Sequence, residues 1–371
     1  MRRFIITTAL LIVFAFVFAP DAHAVDDDDI IRRQADALDI GGLEDALTGD
    51  AEDLLGDLTV MDSLNLDRGL RRLLSGIGER LGGILRSGLR DATLIVLIAV
   101  FCSIVSSAFG GGGSDYVVLA GVLAIAAVSV TSVNSFIGLG RATLNELETF
   151  SRVLLPTLTG AAASSGAITS AAAKFAATTL FMNIMMTVAS SVVMPLILAH
   201  IAVSIAEAVT GSSALAGAGG LIKWLARMIL TIMVVAFVAY MSLTAVISGT
   251  ADAVAIRAAK VALATVLPVV GSIIADASET VLVGASVLRN AVGIFGLLAV
   301  SAICLIPFLR LGVSYLLFKA AGGISGAIAD KRIGALINAI SSAFGLTLAM
   351  VGVAAMMLYV SIISVIRFTV F

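Results

Sequence analysis

The chain is short of charge, of cysteine and of the residue pairs that catalysis needs. Only 13% of its 371 residues are charged, where a soluble domain carries about a quarter. Hydrophobic residues make up 60%, and the mean hydropathy is +1.11. Lipid is therefore the main solvent, and the fold class to expect is all-α, a polytopic helical membrane protein. The two cysteines, Cys102 and Cys304, lie inside apolar runs with no CxxC spacing and no histidine nearby. Neither a disulfide framework nor a zinc site is supported, and both read as packing residues. His200 is the single histidine after residue 24. Its neighbours Met182, Met185, Met186 and Met194 could hold a soft metal, but methionine is also ordinary apolar filling. The second reading is the simpler, so neither metal nor cofactor is expected. Gly110 to Gly113 followed by Ser114 lacks the Gly-Lys-Ser/Thr of a phosphate loop and reads as a flexible turn. With no nucleophile and base in a recognisable pairing, the chain is not expected to be an enzyme. Basic patches interleaved with aromatics are also missing, so nucleic acid is not an expected partner.

The charge that is present is unevenly placed. Residues 25–91 hold 16 Asp or Glu and 8 Arg, whereas residues 92–371 hold 8 acids and 13 bases. The chain thus has a charged N-terminal part and an apolar remainder. Ahead of both, Arg2 and Arg3 precede an apolar run from Phe4 to Ala19, then Pro20 and Ala22-His23-Ala24. That is the layout of a secretory signal peptide over residues 1–24, cleaved after Ala24; the alternative is an uncleaved first membrane helix. Cleavage would leave residues 25–91 on the outer face of the membrane. Asp26 to Asp29 read as a solvated tail, because four adjacent carboxylates oppose a packed core.

From Leu66 to Leu89, leucine and isoleucine recur at three- and four-residue spacing, while Arg68, Arg71, Arg72, Arg80, Arg86 and Arg90 fall mostly elsewhere. The pattern predicts an amphipathic helix. Its many glycines each cost about 1 kcal/mol of helix propensity, so the helix needs a surface to form against. Lipid headgroups, a partner protein and the chain's own membrane domain are all open as that surface.

Charge-free windows run over Ala92–Ser114, Tyr116–Gly140, Val153–Ala173, Phe175–Ala206, Met228–Ala251, Asn290–Leu309 and Ile333–Ile366. At about 20 residues per crossing they predict five to seven membrane helices over residues 92–371. Topology is in tension. The arginines of the amphipathic helix would lie outside, against the usual cytoplasmic excess of Lys and Arg.

Two stretches look alike. Asn134 to Gly160 passes through Arg141, Glu146, Glu148 and Arg152 to Leu155-Pro156 and Gly160. Ser242 to Gly271 passes through Asp252, Arg257 and Lys260 to Leu267-Pro268 and Gly271. The spacing suggests an internal repeat near residues 134–206 and 242–318, with helix breaks at Pro156, Gly160, Pro268 and Gly271, as transporters use near the midplane. Chance similarity of Leu-Pro turns in apolar sequence is the other reading. Asp276 and Glu279 share a helical face three residues apart, with Arg289 and Arg310 as candidate partners. Together the four are candidates for an intramembrane polar pathway, or the carboxylates sit hydrated at the interface. Lys174 is the single charge in the matching tract of the first stretch.

The tract Leu267-Pro268-Val269-Val270-Gly271, then Asp276, Leu288-Arg289-Asn290-Ala291-Val292-Gly293, Pro307, Lys319 and Asp330-Lys331-Arg332-Ile333 resembles the C-terminal half of the stage III sporulation protein AE family. The leader, the acidic outer segment and Leu155-Pro156 are similar too. The resemblance implies a membrane subunit of the transenvelope channel that links mother cell and forespore during endospore formation. It also implies other membrane proteins of that complex as partners, and the mother-cell membrane around the forespore as the location. The residues alone also suit an independent secondary transporter or permease.

Overall fold

A computed structural model describes residues 34–56, 58–108, 113–266 and 271–366, with backbone alone for 244–257, 259–266 and 271–281. The leader and the Asp26–Asp29 run lie outside the described residues. Two short helices, α1 (Gly41–Asp45) and α2 (Asp50–Leu55), and a 3₁₀ turn at Asp62–Leu64 form an N-terminal cap. Six long stretches of helix follow: α3 (Leu66–Ala108), α4 (Gly113–Ser164), α5 (Ile168–Val188) running through a π-helical turn (Ala189–Val193) into α6 (Met194–Thr210), α7 (Ser213–Val266), α8 (Gly271–Ile328) and α9 (Lys331–Ile366). All six are long and apolar enough to cross a bilayer, and no strand occurs among the described residues. The chain is a multi-pass all-α membrane protein.

Seven windows become six helices because charge does not end a helix. Arg141, Glu146, Glu148 and Arg152 lie inside α4, where Glu and Arg are good helix formers, and Glu148 and Arg152 pair across one turn at 2.6 Å. The window Val153–Ala173 is divided between α4 and α5 by a turn at Gly166, whose φ of 92° suits glycine. The helix break expected at Pro156 and Gly160 is therefore displaced: both residues sit inside α4. Gly160 serves another purpose, because a Cβ there would come within 2.8 Å of Leu38 in the cap. The second tract differs. There α7 ends at Val266 and α8 begins at Gly271, with Pro268 outside the described residues. The two similar stretches thus take different local structures. Pro195 lies two residues past the end of the π turn at Val193, and that wider turn relieves the clash of a proline ring with the preceding carbonyls.

At one end of the bundle, here the hairpin end, Ser103 Oγ donates to the Ile328 carbonyl at 2.7 Å and Arg332 reaches Asp115 at 3.4 Å. At the other, the cap end, Arg289 meets Ser165 and Lys174 meets the last turn of α9. α8 and α9 form the centre of the bundle, and α9 is apolar and buried on nearly all sides. Their crossing is close: a Cβ on Gly334 would lie 2.6 Å from Gly326 Cα.

The amphipathic stretch and the first apolar window are one helix, α3. Gly69 faces Leu298, Gly76 faces Leu54 and Gly88 faces Leu317 and Val313. The surface that this glycine-rich helix needs is supplied by α8 and the cap within the same chain, and its arginines point outward. Arg86 and Arg90 flank Gly88, Arg310 lies one turn from Val313, and Arg141 follows Gly140, which packs on Thr347. All four arginines are exposed, and they mark one level around the bundle.

Candidate functional site

The cap end gathers polar and charged groups inside an otherwise apolar bundle. Arg289 on α8 is 0% exposed, and its Nη1 donates to Ser165 Oγ at 3.0 Å, in the turn between α4 and α5. Lys174 on α5 is 1% exposed, and its Nζ donates to the Ser364 carbonyl in the last turn of α9. One turn along, the Thr178 and Ser361 hydroxyls hydrogen-bond each other. The final carbonyls of a helix have no intrahelical partner, and its C-terminus carries partial negative charge, so an ammonium is the group such a site takes. Burial of a cation in apolar surroundings is costly, about 2.5–3.5 kcal/mol at the centre of a bilayer. Two such groups at one end of the bundle are therefore a feature to explain.

The cap closes over this region. Leu43, Leu55 and Val60 are fully buried beneath it, and Glu44 Oε1 accepts from Val60 N at 2.7 Å. Ser63 Oγ lies 3.1 Å from the Ala291 carbonyl of α8, two residues from Arg289. Arg80 on α3 clamps the cap from outside, pairing with Asp50 and, at 2.8 Å, with Asp53. Each such half-exposed pair is worth about 0.2–1 kcal/mol, and reversing the charge turns two attractions into repulsions. Arg80→Glu is expected to speed cleavage after Glu44 and Glu52 by a glutamate-specific protease by about tenfold, which corresponds to about 1.4 kcal/mol. Unchanged cleavage would show that apolar burial alone seats the cap.

The four residues expected to form a polar pathway are not all brought together. Arg289 and Arg310 share α8, about 31 Å apart along its axis, the first buried and the second exposed. The side chains of Asp276 and Glu279 lie outside the described residues, and Gly271 opens α8. Lys174, the single charge in its tract of sequence, emerges as a second buried cation; its partner on α9 has no signal in the sequence. His200 is buried, with Nδ1 3.1 Å from the Gly219 carbonyl. Among the described residues, no group of three or more His, Cys, Asp or Glu could share a metal ion.

A second polar feature has no counterpart among the expectations from sequence. At the arginine level, Arg141, Asn145 and Glu148 on α4 face Met186, Thr187, Ser190 and Met194 across an open cleft of about 260 Å³. Its signal is the i, i+4, i+7 spacing of three polar residues inside a stretch that reads as a connector between apolar windows.

A family description, Stage III sporulation protein AE (spore_III_AE), matches residues 61–369. The stage III sporulation protein AE of Bacillus subtilis (strain 168) is 25% identical over 285 residues, which cover 75% of this chain and 71% of the relative. No solved structure matches. With the family description spanning most of the chain, including the cap's last turn and every long helix, the chain belongs to the stage III sporulation protein AE family.

Proposed function

We propose that this sporulation membrane protein is a subunit of the channel linking mother cell and forespore, seated in the mother-cell membrane around the forespore. It acts by assembly with other membrane proteins of that complex and without catalysis. The supporting observation is exposed apolar surface on α5 and α7 toward the cap end. On α3, exposed Leu94, Leu97 and Phe101 lie on the hairpin side of the arginine level, and Leu74 is exposed on the cap side. On α5, exposed Phe175 and Leu180 continue past that level toward the cap end, beside the buried Lys174 and Thr178. α7 adjoins them through Phe181 and Phe237, with ring centroids 5.3 Å apart, and exposes Val235 and Leu243. A contiguous apolar face from two adjacent helices, carried beyond the headgroup level, suits the helices of a partner membrane protein.

The test is a crosslinking pull-down of tagged chain from sporulating cells, with vegetative cells as the control. Recovery of sporulation envelope proteins supports the reading, and Phe175→Asp is expected to reduce that recovery at least fivefold while membrane insertion is retained. An abundant, inserted chain that is recovered alone would favour an independent transporter.

A further inference from the structure

The cleft between α4 and the π turn is built at the height where a bilayer changes from hydrocarbon to headgroup. On α4, the charge-free run from Tyr116 to Gly140 is about 37 Å long at 1.5 Å per residue, enough for a hydrocarbon core of about 30 Å. Arg141 is the first residue beyond it. On α3, exposed Arg86 and Arg90 stand just before the charge-free run Ala92–Ser114, which leads to the hairpin end, and mark the same boundary.

Within the cleft, the described hydrogen bond of the Arg141 guanidinium is from Nη2 to the thioether Sδ of Met194 at 3.5 Å. A guanidinium has five N–H donors in a fork that matches a phosphate, and a thioether is a weak acceptor. Asn145, Thr187 and Ser190 add an amide and two hydroxyls to the same walls. The Thr187 hydroxyl donates to the Asn183 carbonyl and that of Ser190 to the Met186 carbonyl, so their oxygens remain able to accept. Two turns from Arg141, Glu148 uses Oε1 for Arg152 at 2.6 Å, which leaves Oε2 for the cleft. On the hairpin side, exposed Val130 on α4 and Leu198, one turn beyond Met194, give two acyl chains an apolar bed.

We propose that this cleft is a site for a phospholipid whose headgroup carries a phosphate and a primary ammonium. The phosphate sits on Arg141, with Asn145 as a further donor, and the ammonium donates to Glu148 and the Thr187 and Ser190 oxygens. The π turn at Ala189–Val193 shapes the wall by displacing Ser190 and Met194 from regular α-helical register. A trimethylated ammonium cannot donate to Glu148, and a glycerol headgroup lacks the positive charge, so the site discriminates among headgroups that share the phosphate.

The test is native mass spectrometry of the delipidated full chain in detergent, titrated with dioleoyl phosphatidylethanolamine, phosphatidylcholine and phosphatidylglycerol, and separately with inorganic phosphate. Phosphatidylethanolamine is expected to bind about tenfold more tightly than the other two, about 1.4 kcal/mol. Arg141→Gln is expected to weaken all three lipids by about tenfold, and Glu148→Gln to erase the preference while leaving phosphatidylglycerol binding intact. Arg310→Gln, at the same level but outside the cleft, is the control and should bind as the unaltered chain does. Equal binding of the three lipids, an Arg141→Gln variant that binds normally, or an Arg310→Gln variant that loses as much would each overturn the proposal. Displacement of bound lipid by millimolar inorganic phosphate would assign the cleft to free phosphate instead.

Discussion

Replacing Gly334 with valine is expected to remove nearly all monodisperse protein from a detergent extract, the largest effect expected of a single substitution in the bundle. The reason lies in the crossing of α8 and α9. A Cβ at position 334 would stand 2.6 Å from the Gly326 Cα, 3.0 Å from the Gly326 nitrogen and 3.4 Å from the Gly322 carbonyl oxygen. These neighbours are backbone, so no side-chain rotation relieves the clash, and the two central helices must separate. Overpacking a core costs about 1–3 kcal/mol when side chains can adjust, and more when they cannot. Separation breaks the hydrogen bond from Lys319 Nζ to Asn338 Oδ1 at 2.9 Å and the edge-to-face stacking of Phe318 on Phe344 at 4.9 Å. Gly312 is the control: it lies on α8, the other helix of the crossing, and a Cβ there meets nothing within 4 Å. Gly312→Val should leave the size-exclusion profile and the thermal midpoint unchanged. Equal loss from both variants would mean that glycine flexibility, not close approach, is what α8 and α9 require.

The sequence disclosed the solvent better than the geometry. Apolar windows of about 20 residues announced the helices, because in lipid the backbone has few ways to satisfy itself. Where each helix turned was less visible. Leu155-Pro156 looked like a break and lies within α4, since proline prevents a turn only when packing on either side does not hold it; Leu154 and Leu158 are buried here at 0% and 1% exposure. The turn came instead at Gly166, one glycine among 35. The amphipathic stretch from Leu66 was legible as a helix, but its partner was not. Gly69, Gly76 and Gly88 read as weaknesses in a linear pattern and prove to be the positions where Leu298, Leu54 and Leu317 enter. For the candidate site, burial decided everything. Arg289 and Arg310 are alike in sequence and about 31 Å apart in space, and one is buried while the other is exposed. No local pattern separates them, because the difference depends on which helices pass beside α8.

The N-terminal segment pairs its arginines with its own acids: Arg80 with Asp50 and Asp53, Arg71 with Asp67 at 2.8 Å and Arg68 with Asp62 at 3.3 Å. Orientation bias counts Lys and Arg, and Asp and Glu add little to it, so these pairs hold the folded cap together and leave the tension with an outward N-terminal segment in place. Six alternating crossings would also place the cap and the last turn of α9 on one side of the membrane, where both meet the α4–α5 turn.

That meeting point is tested most sharply at Lys174. Its ammonium donates to the Ser364 carbonyl at the C-terminus of α9, where partial negative charge accumulates and the last carbonyls lack helical partners. Lys174→Met keeps the length and apolar stem but removes the donor; loss of a charge-assisted hydrogen bond costs about 1.5–3 kcal/mol, reduced by the relief of an expensive buried charge. Lys174→Glu sets a carboxylate against carbonyl oxygens in the same dry place, where desolvation and repulsion act together. Amide hydrogen exchange over residues 355–366 should therefore rise modestly in the methionine variant. In the glutamate variant it should rise by at least a hundredfold, while exchange at the α8–α9 crossing near Gly334 stays slow in both. Equal exchange in the two variants would mean that Lys174 serves packing alone. Slower exchange with methionine than in the unaltered chain would mean that its charge is kept at the expense of stability, for a purpose other than holding α9 in place.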